Sequence, residues 1–279
     1  MTTQTHPDAS PFLDDREWRK LTSGIAELAR REIMPRYEHV AATRKADGSL
    51  ITEADTAMQQ AVGAFLETHW PQFGFLGEEQ TPAIQEQALR SPRGCWILDP
   101  LDGTSNFASG IPIFTVSLAL VIGAEVVAGI VHDPVREETF AARLGLGAEL
   151  NGRPLQAATP KTKLAHCTAI VDFKRLRRPL AVRLATEAPY ASQRSIGSVA
   201  LDWCWIAAGR GQVYCHGSQN IWDYAAGWLI LTEAGGWSAT FAGESVFQSR
   251  VEKRSAVAAT TPALFDQWWG WLEGEGVSK

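Results

Sequence analysis

Two aspartates three positions apart, in Asp99-Pro100-Leu101-Asp102, close an apolar run from Cys95 to Leu98 and lead into Gly103-Thr104-Ser105-Asn106-Phe107. The apolar run reads as a buried strand whose end gathers carboxylates. Pro100 is expected to stop the backbone from continuing as a central strand, so that both carboxylates turn into one cavity with the Leu101 carbonyl between them. Two charged oxygens and one neutral oxygen in so short a span make an all-oxygen cation site of the kind Mg²⁺ takes. Thr104 adds a hydroxyl beside it. Gly103 to Asn106 can open a helix or tight turn whose N–H groups suit a phosphate. Asp-Pro and Asp-Gly are also ordinary turn dipeptides, and Asp99 and Thr104 are ordinary capping residues, so this stretch alone leaves both readings open.

The remainder of the chain supplies further acids. Asp55 stands three residues after Thr52 as a capping-box-like acid, and it either favours the helix dipole or faces the cavity. Gly77-Glu78-Glu79 leaves a short strand with two adjacent carboxylates, which point to opposite faces, and Glu78 is assigned to the cavity. Asp223, in Asn220-Ile221-Trp222-Asp223, sits at a helix start, where it either caps the helix or reaches across to Asp99 and Asp102.

Composition bounds what this site can serve. The chain has 279 residues and is 45% apolar, enough for a substantial core. Lys and Arg total 26 against 31 Asp and Glu, a net charge of −5, which gives no general reason to bind nucleic acid or an anionic membrane. A phosphorylated ligand in an acidic pocket therefore needs bridging cations. Cys95, Cys167, Cys204 and Cys215 form no CxxC pair and read as buried thiols of a reducing compartment, the cytoplasm by default.

The elements that must position these groups follow from periodicity. Asp14 or Asp15 caps a helix in which Trp18, Leu21, Ile25, Leu28, Ala29 and Ile33 recur at helical steps, ending near Pro35. Tyr37 to Thr52 reads as a loop or short hairpin that turns at Asp47-Gly48 and carries Lys45. A second helix runs on from Thr52, and Phe73–Leu76 is a short strand. Gln80 to Pro92 is a polar excursion, helical or irregular. Strands are expected at Ile113–Ala119, Glu125–Val131 and around Glu138–Ala142, antiparallel to one another, with a turn-rich stretch to Pro154. Ala165–Val171 is another strand, followed by Lys174, Arg175, Arg177 and Arg178, read as a solvated surface. A new α/β unit then places a strand end at Gln193–Ser198, a helix over Val199–Ala208, a strand at Gln212–Cys215 and an apolar helix ending before Gly235-Gly236. Ala256–Thr260 is a last strand and Leu264–Leu272 a Trp-rich terminal helix. One domain spans residues 1–279, with 1–14 as a mobile tail, 15–160 as an N-terminal α+β half and 161–279 as a C-terminal α/β half.

Taken together, Ile51-Thr52-Glu53-Ala54-Asp55, Gly77-Glu78-Glu79, the Asp99–Phe107 stretch, Trp222-Asp223-Tyr224-Ala225-Ala226-Gly227 and Thr232-Glu233-Ala234-Gly235-Gly236 resemble the inositol monophosphatase family, part of the Mg²⁺-dependent, lithium-sensitive phosphatases. Val131-His132-Asp133-Pro134-Val135 and Asn151-Gly152-Arg153-Pro154 look like that family's intervening strands and turn. The resemblance covers most of the chain. It implies an α+β / α/β layered αβαβα sandwich of the inositol monophosphatase / fructose-1,6-bisphosphatase type, usually a homodimer. It also implies two to three Mg²⁺ per active site. One would be held by Glu78, Asp99 and the Leu101 carbonyl, a second by Asp99, Asp102 and Asp223, and a weaker third would lie near Glu78. Thr104 and Glu78 would act on the attacking water, with Asp55 supporting Thr104, in direct hydrolysis of a phosphomonoester without a phosphoenzyme.

Gly103, Thr104, Ser198, His216 and Asp223 are the expected substrate contacts, Ser195 lies in the same stretch, and Lys45 matches a basic residue on a loop that closes near the metals. The departure is at His216, where relatives acting on inositol phosphates commonly carry a glutamate. His216 is either a substrate contact or a packed surface histidine. Histidinol phosphate, sugar phosphates and nucleotide phosphates therefore stay open beside inositol 1-phosphate. A bisphosphate nucleotidase or fructose bisphosphatase, and a non-catalytic binding partner with the same fold, are the competing readings.

Overall fold

The computed structural model describes residues 14–37, 42–44, 50–157 and 161–274. The expected tail, the Asp47-Gly48 turn and Lys45 lie outside the described residues. In chain order the helices are α1 (Asp15–Glu32), α2 (Met34–Tyr37), α3 (Glu53–His69), α4 (Pro82–Leu89), α5 (Thr104–Ala108), α6 (Arg178–Thr186), α7 (Val199–Ala207), α8 (Ile221–Glu233) and α9 (Pro262–Glu273). The strands are β1 (Ala42–Arg44), β2 (Leu50–Thr52), β3 (Gly74–Gly77), β4 (Cys95–Asp102), β5 (Thr115–Ile122), β6 (Glu125–Asp133), β7 (Glu138–Arg143), β8 (Gly147–Leu150) and β9 (Arg153–Leu155). They continue with β10 (Thr168–Asp172), β11 (Ser192–Arg194), β12 (Val213–Gln219), β13 (Trp237–Ala239) and β14 (Arg254–Ala259).

Five layers result. The outer helices α1 and α3 bury Trp18, Leu21, Ile25, Met58 and Val62 against one face of a seven-stranded sheet ordered β3-β4-β5-β6-β7-β8-β9. The opposite face of that sheet packs on α7 and α8, whose far side meets a five-stranded sheet ordered β11-β10-β12-β14-β13. On the outer face of the second sheet lie α6 and α9, with Leu180, Leu184, Phe265 and Trp268 buried. Covered on both faces, β5 is buried along its whole length, which is why its sequence runs Thr-Val-Ser-Leu-Ala-Leu-Val-Ile instead of alternating with charge. The same double cover explains α8, whose buried positions Ile221, Tyr224, Ala225, Leu229 and Ile230 are not confined to one stripe. Trp268 sits fully in the core, as the terminal Trp cluster suggested.

One expectation needs correction. The central strand does not stop at Pro100, because β4 runs on to Asp102 between β3 and β5. Its pairing with β3 ends at Leu98, and its pairing with β5 shifts register between Asp99 and Asp102. Pro100 falls in that irregularity, where its missing N–H costs no ladder bond. The terminal third also contains β13, which the sequence reading left out.

The interior of β6 carries a titratable group away from the acids. His132 is buried with its Nδ1 2.9 Å from Thr139 Oγ1, and burial pulls its imidazole from 6.5 down to about 4, against the Asp133 charge. Between those values the unfolded chain binds the extra proton, so stability falls as the pH drops through this window and is fully present above it. The expected size is about 3 kcal/mol, from roughly two to three pK units. Denaturation of the wild type and His132→Asn across pH 7 to 4 should show a flatter dependence in the variant, and identical slopes would refute this origin.

Candidate active site

The irregular end of β4 sets the geometry. Asp99 and Asp102 stand opposite Ser117 and Thr115 of β5, and both carboxylates are nearly enclosed, at 3% and 8% exposure. Asp99 Oδ1 accepts the Leu101 N–H at 3.0 Å, so the side chain folds back on its own turn and leaves its other oxygen for the cavity. Gly103 follows at φ 94°, a left-handed conformation that favours glycine, and a Cβ there would come within 2.9 Å of the Ile113 carbonyl. This turn starts α5 immediately after the aspartates. Asn106 then anchors α5 by donating from Nδ2 to the Ile113 and Ile196 carbonyls, both at 2.9 Å.

Three other segments close on this point. Thr52 and Asp55 form a complete capping box at the start of α3, in which Asp55 Oδ2 accepts the Thr52 N–H at 2.7 Å and the Thr52 hydroxyl at 2.6 Å. Its Oδ1 faces the Thr104 hydroxyl at 3.3 Å, and that hydroxyl is 3.0 Å from the Leu101 carbonyl. The two readings of Asp55 are therefore both realised, one by each oxygen. Glu78 leaves β3 with its N–H bonded to the Leu98 carbonyl at 3.0 Å, beside the end of β4. Asp223 is likewise a cap, with Oδ2 accepting the Asn220 N–H at 2.8 Å. The Ser117 hydroxyl, opposite Asp99, donates to the Trp222 carbonyl at 3.0 Å and so brings the start of α8 to the same place.

Asp102 is held from the other side. Its Oδ2 accepts the Ser198 hydroxyl at 2.5 Å and the Ala200 N–H at 2.8 Å, and its Oδ1 accepts the Val199 N–H at 3.2 Å. An acid from one sheet thus caps α7, which follows the other sheet. Ser198 is buried and its hydroxyl is engaged on Asp102, so the structure gives it an anchoring position in place of an open substrate contact, while Ser195 is exposed. His216 is not a surface residue, at 2% exposure. The Ser218 N–H donates to its Nδ1 at 3.1 Å, and its Nε2 is 3.2 Å from Asp172 Oδ2.

Electrostatics distinguish this cluster from a set of ordinary caps. Burial, then the charges of Glu78, Asp102, Asp223 and Asp55, push the Asp99 carboxyl well above the usual carboxylate range. Asp223 is pushed the same way by burial and by Asp102 and Glu78. Asp102 is raised by burial in spite of the Ser198, Ala200 and Val199 donors, and Asp55 is raised by burial against the Thr52 bonds. Four acids so close repel one another in a poorly solvated place, and bound cations are what would allow all of them to ionise. The donor set, carboxylates with a carbonyl and a hydroxyl, fits a hard divalent ion. Among the described residues no three carboxylates, imidazoles or thiols stand close enough together to hold a metal ion, and Asp102 and Asp223 each accept from N–H groups at helix starts.

A cavity of about 250 Å³ lies elsewhere, between Trp18, Arg143, Leu146, Glu149, Gln156 and Glu233, and none of the four acids lines it. The structure thus brings Asp55, Glu78, Asp99, Leu101, Asp102, Thr104 and Asp223 to one place, with Gly103 between them. Sequence reasoning missed Asp172 and Asn106 as parts of this surroundings. Their local bonds, Asp172 to the Lys174 N–H and Asn106 to the Ile113 carbonyl, read as ordinary caps and turns, and their partners His216 and Ile196 lie far along the chain.

The chain was compared with known proteins. The model of the inositol monophosphatase family matches residues 14–270. Inositol monophosphatase 1 of Solanum lycopersicum is 36% identical over 199 residues, covering 69% of this chain and 72% of that protein. A protein named Nus factor SuhB from Pseudomonas aeruginosa is 34% identical over 241 residues, covering 84% of this chain and 87% of the relative. Among solved structures, the extragenic suppressor protein SuhB of Bartonella henselae superposes with a TM-score of 0.78 at 27% identity, covering 92% of this chain and 98% of that one. The Thermotoga maritima IMPase gives 0.75 at 26% identity, covering 91% and 94%. With the family model matching nearly end to end, on the αβαβα layers and the gathered acids described above, this chain belongs to the inositol monophosphatase family of phosphoric monoester hydrolases.

Proposed function

We propose that the protein hydrolyses a small phosphomonoester, an inositol 1-phosphate-like or related sugar or alcohol phosphate, with Mg²⁺ held by Glu78, Asp99, the Leu101 carbonyl, Asp102 and Asp223. The observation that carries this reading is the convergence of Asp55, Asp99 and Asp102, all buried, with the half-buried Asp223 at the opening of α5, where burial and the charges of the other three push the Asp99 carboxyl up. Mg²⁺, as two to three ions, supplies neutralisation of the phosphate charge and activation of the attacking water. The residues of the chain do the rest. The first-turn N–H groups at Gly103 and Thr104 have no carbonyl of their own helix to bond and suit phosphate oxygens as charge develops there. Asp55, fixed by its capping box, orients the Thr104 hydroxyl so that a lone pair is left to accept from water, and Glu78 assists on the β3 side. Asp102, held by α7, and Asp223, held at the start of α8, tie the two sheets to the same centre, so the reacting groups move little as substrate enters. The family resemblance adds a homodimer and lithium sensitivity. The four buried free thiols suit a reducing cytoplasm, and among the described residues no helix is long and apolar enough to cross a membrane.

The test is phosphate release from inositol 1-phosphate, histidinol phosphate, fructose bisphosphate, glycerol 2-phosphate and adenosine 3′,5′-bisphosphate, each with and without Mg²⁺. Release that requires Mg²⁺ and prefers one monoester is expected. A preference for the bisphosphates would favour a nucleotidase or fructose bisphosphatase, and no release from any of them would reject the enzyme reading. A second reading, a non-catalytic binding partner, is favoured by the relatives named Nus factor SuhB and by the exposed run Lys174, Arg177 and Arg178. It predicts partner capture that depends on that run and survives loss of Asp99.

A further inference from the structure

Beside the acid cluster, the ends of two parallel strands form an arrangement that the motifs do not contain. In open α/β sheets, ligands lie outside the carboxyl ends of parallel strands. Here β10 runs parallel to both its neighbours, β11 and β12, and it ends at Asp172, opposite His216 of β12 in register. From His216 the chain runs in seven residues to Asp223, so the end of β12 leads directly to the acid cluster.

Both oxygens of Asp172 have polar neighbours at this strand end. Its Oδ1 accepts the Lys174 N–H at 3.0 Å, and its Oδ2 lies 3.2 Å from His216 Nε2. The imidazole is itself oriented: since Ser218 donates to Nδ1, the ring's hydrogen sits on Nε2, the nitrogen nearest Asp172. Gly217 packs so tightly on the following one-turn helix, Phe173–Arg175, that a Cβ would lie 1.9 Å from the Arg175 carbonyl. That contact locks the turn that carries Asp172. His216, with both nitrogens engaged and its side chain 3% exposed, offers a ligand nothing, whereas the Asp172 side chain is 29% exposed. Burial works against the Asp172 charge, but the His216 imidazole, the Lys174 N–H and the Arg175 charge together outweigh it and hold the carboxyl below its usual value. The Arg175 guanidinium is within electrostatic reach of both Asp172 and Asp223, which places the turn beside the acid cluster. A carboxylate oxygen has more than one lone pair, so each oxygen of Asp172 can accept a further hydrogen bond on its exposed side.

Resting on the phosphatase reading above, we propose that Asp172 selects the alcohol part of the substrate, accepting hydrogen bonds from hydroxyl or ammonium hydrogens next to the phosphoester, with His216 as the positioning residue that presents it. The ligand class is therefore a phosphomonoester of a polyol or amino alcohol. Esters lacking such donors bind through the phosphate alone. A site that is built to take such donors discriminates strongly against analogues without them.

The experiment measures kcat and KM with Mg²⁺ for inositol 1-phosphate, histidinol phosphate and p-nitrophenyl phosphate, together with inhibition by inorganic phosphate, in the wild type, Asp172→Asn, Asp172→Ser, His216→Phe and His216→Gln. Asp172→Asn is expected to raise KM at least about tenfold for one of the two donor-bearing esters relative to p-nitrophenyl phosphate, with phosphate inhibition unchanged. Inositol 1-phosphate and histidinol phosphate separate hydroxyl from ammonium recognition. Asp172→Ser keeps a hydroxyl to cap the Phe173–Arg175 turn, which guards against a folding defect in the Asn variant. His216→Phe should reproduce the KM shift, and His216→Gln, which can still donate to Asp172, should restore it in part. If all three KM values move together, or none moves, the assignment of Asp172 is overturned. A wild type that releases no phosphate from any of the three overturns the phosphatase reading instead.

Discussion

Asp99→Asn is expected to lower Mg²⁺-dependent phosphate release by about a thousandfold or more, and at the same time to raise the melting temperature of the metal-free protein. Asp99 is the acid that Glu78, Asp102, Asp223 and Asp55 all repel, after the larger effect of its own burial. Its unfolded carboxyl has the ordinary value of 3.8 and its folded value lies well above, so the folded chain binds the extra proton in the window between them. Stability contributed by that proton is present below the window and is lost as the pH rises through it, so the metal-free protein carries more of the penalty the higher the pH. Asparagine removes the charge and keeps the oxygen that accepts the Leu101 N–H. A gain of about 2–4 °C for the metal-free variant corresponds to roughly 1 kcal/mol. Magnesium should stabilise the wild type in proportion to the logarithm of its concentration over its dissociation constant, and the variant much less. Thermal melts at pH 8 with and without Mg²⁺, alongside turnover, check all three. A variant that melts lower without metal, or that keeps a tenth of the activity, would refute the account of a centre whose repulsion is offset by cations.

Thr104→Ala is expected to cost about a hundredfold to a thousandfold in kcat while KM changes little. The hydroxyl has one hydrogen, and the neighbouring acceptors are the Leu101 carbonyl at 3.0 Å and Asp55 Oδ1 at 3.3 Å. Whichever accepts it, the hydroxyl is left with lone pairs directed away from both, where an attacking water can donate. Alanine removes that acceptor without disturbing the cap of α3, because the cap uses the other oxygen of Asp55. The melting temperature should therefore stay close to that of the wild type. Thr104→Ser should recover most of the loss, and an alanine variant with more than a tenth of the wild-type kcat would rule out a role for the hydroxyl in the chemical step.

These two effects differ in kind. Asp99 acts through the charge that the ions neutralise, so its removal registers in metal binding, in stability and in rate. Thr104 acts through a single oxygen, so its removal registers in rate alone. Measuring both variants on the same substrates separates loss of the ions from loss of the group that works on the water.

Much of the centre was legible because its parts are local. Thr52 with Asp55, and Asn220 with Asp223, lie three residues apart, which is the span over which a side chain reaches back to cap its own helix. Asp99, Leu101 and Asp102 fall within a single turn, and helical or strand periodicity placed α1, α3, β4 to β7 and α8 in the sequence before any contact was known. The buried β5 and β6 were visible for the same reason, since enclosure on both faces leaves continuous apolar runs.

What the sequence could not decide were pairings whose partners are far apart along the chain. Pro100 argued for a broken strand, and only the register shift against β5, with the pairing to β3 ending at Leu98, gave it a place inside β4. Ser198 looked like an open substrate contact until α7 was set against the first sheet, where Asp102 takes its hydroxyl. His216 read as either a substrate contact or a packed surface histidine, but β12 lies in the middle of its sheet, and the ring is enclosed there with Nε2 3.2 Å from Asp172. Asp172 itself reads only as the end of a strand ahead of basic residues. Sequence by itself determined which groups could ligate, cap or hydrogen-bond, because those capacities belong to residue types and short spacings. Which carboxylate meets which donor across two sheets was decided by tertiary packing, since strand register and the seating of one helix on another set distances that no local pattern encodes.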